Sequence, residues 1–262
     1  MRIATTIVVI AALMTATVPA AQSKEARFGG PVKRLDYEVK ATGLAPVFPE
    51  RYACEPIASG WGSPGRFDDS TRRQDRNGGL HGGLDISMKE GTPLLAVAAG
   101  KVIAKGEGGA LEGIYLWMQH APEDTGLPYR AITKYQHLSE LPKLNVGDRV
   151  AAGQVVARSG MTGTVGRAFG PAGYAHLHVS MFVAPVTESP GQDKSISPVP
   201  PKDGKLSDPM LLFLPAGAEY EKAAEFPEAA KRVPVAVVDR NGLIHPAGSK
   251  VVWPVYCSEK TP

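Results

Sequence analysis

The run GYAHLHVSMFV at residues 173–183 alternates between apolar and other side chains over most of its length. On a β-strand, side chains two apart share a face. Leu177, Val179, Met181 and Val183 therefore line one side, which reads as core, and His176, His178, Ser180 and Phe182 line the other. A strand with one face buried this way must turn two imidazoles toward something polar. A metal site, a catalytic pair and a chance placement all remain open from this run alone.

Turn chemistry surrounds it. With 29 glycines and 23 prolines in 262 residues, apolar runs are repeatedly cut short, which favours strands over long helices. AAGKVIAKG (98–106) is echoed by AAGQVVARSG (151–160), each a glycine turn before a short alternating run. The echo predicts two similar hairpins in one sheet system. GIYLWMQH and YRAITKYQHL supply two further strands, and on the second Tyr135 and His137 are expected on one face. The expected fold is mainly β: a compact antiparallel domain with duplicated barrel-sandwich-like hairpins and short helices only in the tail.

Residues 1–21 read as a secretory signal peptide, with a basic start at Arg2, an apolar run from Ile3 to Val18, and small residues at Ala20 and Ala21. No later run is long and apolar enough to span a bilayer, so no stable membrane insertion is expected once the leader is removed. Residues 22–53 read as an extended arm, 54–216 as the main β domain with a Pro-rich insertion at 184–205, and 217–262 as a tail. The tail carries a short helical stretch broken by Pro227 and a hairpin around Asn241-Gly242. Cys54 and Cys257 make an even pair, which in an oxidising compartment predicts a disulfide from the start of the domain to the tail. The formal net charge of +3 gives no electrostatic footprint for nucleic acid.

Of the six histidines, His81 has the most suggestive setting apart from the pair on the strand. It precedes Asp85 by four positions with Gly82 and Gly83 between them, so the backbone can bend and approach closely enough for imidazole and carboxylate to meet at one cation. Zinc favours nitrogen and oxygen ligands, and a hydrolytic site uses three protein ligands with one position for water. His81, Asp85 and one histidine of the pair make that count. His120 and His245 read as structural or solvent-facing, and Tyr115 and Trp117 as packing.

Taken in order, HGGLD, YQHLS, VGDRVAAGQVVARSGMTG and HLH resemble the lysostaphin/LytM-type zinc metallopeptidases over roughly Trp61 to Val183. The resemblance implies one zinc ion per chain, held by His81, Asp85 and His178, with His137 and His176 as the catalytic histidines. It also implies a peptidoglycan peptide as substrate, cut at its cross-bridges by a metal-activated water, and hence an exported protein, periplasmic or secreted. The runs APEDTGLPYRAIT and TVGRAFGPAGYA exceed the family's usual spacers and are expected at the rim of the cleft. An alternative is a non-catalytic or latent member that binds the wall or activates another wall hydrolase; the arm or the Pro-rich insertion lying across the cleft would produce latency. Such non-catalytic relatives have typically lost metal ligands, whereas here every position is filled. VGDRVAAGQVV also resembles hairpins of biotinyl and lipoyl carriers, but the surrounding lysine-modification motif is missing.

Overall fold

The computed structural model describes residues 37–66, 68–74, 76–165, 174–186, 200 and 202–260. The expected leader, the arm as far as residue 36, most of the Pro-rich insertion and most of the spacer before the histidine pair lie outside them. In chain order the strands are β1 (Ala45–Val47), β2 (Tyr52–Ala53), β3 (Ile57–Ser59), β4 (Leu84–Ser87), β5 (Pro93–Leu95), β6 (Gly100–Glu107), β7 (Ile114–His120) and β8 (Arg130–Leu138). There follow β9 (Arg149–Val150), β10 (Val155–Arg158), β11 (His176–Ala184), β12 (Lys205–Ser207), β13 (Arg232–Pro234), β14 (Val237–Asp239), β15 (Ile244–His245) and β16 (Tyr256–Glu259).

The central sheet runs β3-β4-β11-β8-β7-β6-β9, with β12 added against β11. All its pairings are antiparallel. β11 is hydrogen-bonded on both sides, with His178 opposite Asp85 of β4 and opposite Gln136 of β8. Its alternation sorts as the sequence requires. Leu177, Val179, Met181 and Val183 enter the main core with Ile86, Leu116, Met118 and Tyr135. On the other face, Phe182 joins Ile103, Trp117 and Ile132 in a smaller apolar cluster, leaving the histidine end polar.

The two echoed segments land in different sheets. Residues 98–106 supply β6, which pairs with β7 and β9, whereas 151–160 supply β10, which pairs with β5. Helical turns are not confined to the tail: α1 (Pro122–Thr125) and a 3-10 turn at Asn77–Gly79 precede it. No helix among the described residues is long and apolar enough to cross a membrane. The expectation that 121–133 forms the cleft rim is corrected. His137 and Leu138 close β8, whereas this segment leads into the opposite end of that strand. There Tyr129 donates its hydroxyl to the Leu211 carbonyl, and Lys250 Nζ donates to the Glu123 carbonyl.

The tail closes the core. Trp253, Val255 and Cys257 are fully buried in the same apolar cluster as β11, and Phe48 meets the Trp253 ring edge-on at 5.1 Å. β16 pairs with β2, and β13 runs parallel to β1. β14 and β15 form the expected hairpin; Gly242 adopts φ 83°, and Asp239 Oδ1 accepts the Asn241 and Leu243 amides. Cys54 and Cys257 are joined by a disulfide with Cα atoms 4.4 Å apart across 203 positions of sequence. In the chain-entropy picture a loop this long contributes at most about 5 kcal/mol.

Candidate functional site

β4 and β11 bring Asp85 and His178 together because those two residues are register partners. His81 reaches them from the loop before β4, fixed by two backbone bonds: its amide donates to the Ser63 carbonyl, and its carbonyl accepts from Gly62. A Cβ on Gly83 would sit 2.6 Å from the His178 ring, so only glycine admits that ring so close to the backbone. His81 Nε2 lies 3.1 Å from His178 Nδ1, which is 2.7 Å from Asp85 Oδ1, and His81 Nε2 is 3.2 Å from the same oxygen.

The outer partners say which atoms face inward. His81 Nδ1 bonds the Gly60 carbonyl at 3.0 Å, so it carries the proton and Nε2 presents a lone pair. His178 Nε2 meets Ser180 Oγ at 2.9 Å, and that hydroxyl is committed as a donor to the Gly82 carbonyl. The proton of His178 is therefore on Nε2, and Nδ1 also presents a lone pair. Two imidazole lone pairs and a carboxylate oxygen thus converge within 4.8 Å of one another, a donor set that could hold a metal ion. A tetrahedral zinc with bonds of ~2.1 Å spaces its ligands about 3.4 Å apart, so the group fits with shifts of a few tenths of an ångström.

Electrostatics agree. Burial pushes the Asp85 carboxyl up, but His81 and His178, when charged or donating a proton to it, outweigh burial and hold it well below the usual carboxylate range; with both rings turned lone pair inward, a bound cation would take over that role. Burial lowers His178 to about 4, against the opposing pull of Asp85, which favours the neutral, ligating form. On the outer side, Arg72 Nη2 stands 3.7 Å from Asp85 Oδ2 and donates to Ser59 Oγ at 2.9 Å.

The two other candidates stand beside this group. His176 Nδ1 donates to the Tyr174 carbonyl at 2.9 Å, the Tyr174 ring stacks on it at 4.4 Å, and its Nε2 lies 3.7 Å from Asp85 Oδ1. His137 Nδ1 donates to the Thr162 carbonyl at 2.8 Å. Its ring lies 4.7 Å from that of His176 and 5.8 Å from that of His178. Burial and the neighbouring imidazoles of His176 and His178 lower His137 to about 3.

His137 arrives by a route that strand alternation does not foresee. Tyr135 turns into the core, where its hydroxyl donates to the Leu95 carbonyl and accepts the Val97 amide. Regular alternation puts His137 on that same core face. Instead β8 is bulged: Leu116 pairs with Tyr135 and Ile114 with Leu138, so Gln136 and His137 together oppose Tyr115. His137 takes φ 63°, and the extra residue re-aims its ring into the site. The structure therefore separates Tyr135 from His137.

The remaining histidines differ. His120 is fully buried with both nitrogens bonded, to the Ala99 carbonyl at 2.7 Å and Thr133 Oγ1 at 2.8 Å. His245 pairs with Asp239 at 2.9 Å in the tail hairpin. Trp117 packs on Phe182, and Lys134 lies over the Tyr115 and Trp117 rings while paired with Glu112. Gly60, Ser180 and Thr162 were not singled out by sequence as site residues. Ser180 left a signal, two positions from His178 on the same strand face, and Thr162 lies in the MTG end of the run that carries the resemblance.

The stretch that carries these residues is similar to known proteins. The model of peptidase family M23 matches residues 79–192. Lysostaphin of Staphylococcus simulans is 34% identical over 121 residues, covering 45% of this chain and 21% of that protein. The glycyl-glycine endopeptidase ALE-1 of Staphylococcus capitis is 38% identical over 91 residues, covering 33% and 22% respectively. The chain thus spans about a fifth of the length of these relatives. The solved catalytic domain of the antimicrobial peptidase lysostaphin from Staphylococcus simulans aligns at 26% identity and TM-score 0.40, over 60% of this chain and 92% of that one. Residues 79–192 are thus the part of the chain that is similar to peptidase family M23.

Proposed function

We propose that this chain is a zinc endopeptidase that hydrolyses peptide cross-bridges of bacterial peptidoglycan. The observation that carries the reading is the convergence of two imidazole lone pairs and one carboxylate at His81, Asp85 and His178, with two further imidazoles within 6 Å ring to ring. Those three residues would hold one zinc ion. Bound there, zinc supplies Lewis acidity, making water a nucleophile near neutral pH and polarising a peptide carbonyl.

The protein's own groups do the rest. His137 and His176 keep their Nδ1 protons on backbone carbonyls, so each offers Nε2 as a proton acceptor. One takes the proton of the attacking water and returns it to the leaving amine. The other, once protonated, stabilises the negative charge developing on the scissile oxygen. Ser180 and the Gly60 carbonyl hold the ligating rings in the tautomers that leave their inner nitrogens free.

The similarity to lysostaphin and to a glycyl-glycine endopeptidase supports a wall peptide as substrate. The disulfide supports work outside the cytoplasm, in the periplasm or secreted, as does a leader at 1–21. In this reading 54–216 is the catalytic domain and 217–262 closes it. The test is purified peptidoglycan treated with the protein, with and without a chelator, and released muropeptides analysed by mass spectrometry. New amino and carboxyl ends that disappear with chelator establish the activity and name the bond. A folded, zinc-loaded protein that releases nothing overturns the reading.

A further inference from the structure

We infer that Thr162 is the positioning residue for His137, holding both the bulged backbone and the ring tautomer. This rests on reading His137 as a proton-transfer residue.

The β7–β8 ladder breaks at Gln136 and His137, and His137 sits in the left-handed region at φ 63°. Such a backbone persists only where its surroundings over-determine it. At the next register pair, Ile114 and Leu138, the Thr162 hydroxyl is inserted between the strands. It accepts the Ile114 amide at 2.9 Å and donates to the Leu138 carbonyl at 2.6 Å. The Thr162 carbonyl meanwhile accepts His137 Nδ1 at 2.8 Å. A single residue therefore clamps the strand immediately after the bulge and selects the nitrogen on which the imidazole keeps its proton.

The seat for that residue is built from glycine on both sides. Gly113, at φ 64°, would place a Cβ 2.0 Å from the Thr162 carbonyl oxygen, and Gly163, at φ 66°, would place one 2.2 Å from the Gly113 nitrogen. The MTG run thus acts as a wedge at the open end of β7 and β8. Thr162 need not touch substrate; it acts through His137.

Thr162→Val removes the hydroxyl at nearly constant volume, and Thr162→Ser keeps it. Expected for Thr162→Val is a fall in kcat of about 10- to 100-fold, as is usual for lost outer-shell partners, with KM and zinc stoichiometry unchanged. Thr162→Ser should recover most of the rate. Independently of activity, 15N-edited NMR of the imidazole rings, assigned with His137→Ala, should show a single Nδ1–H tautomer for His137 in the parent and in Thr162→Ser. Thr162→Val keeps the carbonyl but loses the two hydroxyl bonds that seat it against β7 and β8, so in that variant the same signals should show averaging between tautomers. Unchanged His137 ring shifts in a Thr162→Val protein that has only lost thermal stability would overturn the assignment, as would a Thr162→Ser protein as impaired as the valine variant. If the parent cleaves no peptidoglycan, the peptidase reading fails while the ring-nitrogen measurement still decides the role of Thr162.

Discussion

His120 and the four imidazoles of the site occupy the same sheet system, and most are similarly buried, yet they differ in one respect. His120 has both ring nitrogens bonded to protein acceptors or donors. His81, His137 and His176 each give one nitrogen to a backbone carbonyl, and His178 gives one to Ser180. Their other nitrogens turn toward Asp85 or toward one another. Burial alone therefore does not separate a fully bonded histidine from one placed for the proposed chemistry. The half-satisfied ring does, because an inward lone pair in a low-dielectric setting demands a cation or a proton.

The sharpest way to break this comparison is to remove a ligand. His81→Ala or His178→Ala should abolish peptidoglycan cleavage and bound zinc together, measured by muropeptide release and elemental analysis, while circular dichroism stays that of the folded protein. Retained stoichiometric zinc in either variant would show that the converging lone pairs are not the metal site. Next in size, His137→Ala and His176→Ala should each lower kcat by roughly 10²- to 10⁴-fold with zinc retained, since in the proposed mechanism each removes a proton-transfer group rather than a ligand. Loss of zinc in either would move that residue into the ligand set.

His120→Ala tests the other side. It strands Thr133 Oγ1 and the Ala99 carbonyl in a fully buried setting, so stability should fall by about 2–4 kcal/mol in urea denaturation. The surviving folded protein should keep its zinc and its activity. A stable but inactive His120→Ala would erase the distinction drawn here.

A smaller effect extends the comparison to a carboxyl. Asp208 is buried, caps the Pro209–Phe213 turn through the Met210 amide, and accepts the Thr42 hydroxyl. Burial raises it to about 6, against those two hydrogen bonds. Its proton is held more tightly folded than unfolded, so the stability it contributes is full below about pH 4 and is lost as pH rises through about 6. Asp208→Asn should flatten that part of the stability–pH curve and stabilise the protein at pH 7, on the order of 2 kcal/mol. An unchanged curve would place the charge of Asp208 outside the energetics of that turn.

Much of this was readable from the chain. The alternation of residues 176–183 predicted both faces of β11, and two glycines between His81 and Asp85 predicted a backbone bent so that those two side chains meet, as they do at 3.2 Å; the approach of Gly83 to the His178 ring was not foreseen. The cysteine pair and the Asn241-Gly242 hairpin were legible for the same reason: each rests on local chemistry with a single common outcome. What escaped depends on partners distant in sequence. The echoed glycine turns look alike, but β6 and β10 differ in what they meet, β7 and β9 in one case and β5 in the other. The bulge in β8 is invisible to a period-two reading because one inserted residue inverts every assignment after it. The seat formed by Thr162, Gly113 and Gly163, together with the Leu138–Ser159 bridge, holds that inversion in place.

The pairing of β16 with β2, and Trp253 at the centre of the main core, bear on when this molecule becomes itself. A growing chain can form the β6–β7 and β7–β8 hairpins early, since their contacts are local. The core beneath β11 stays open until residues near 253 emerge to fill it. Folding is thus governed by contacts of very high sequence separation, which are slow to form. The wall of the core beneath β11 is therefore completed last, with the tail.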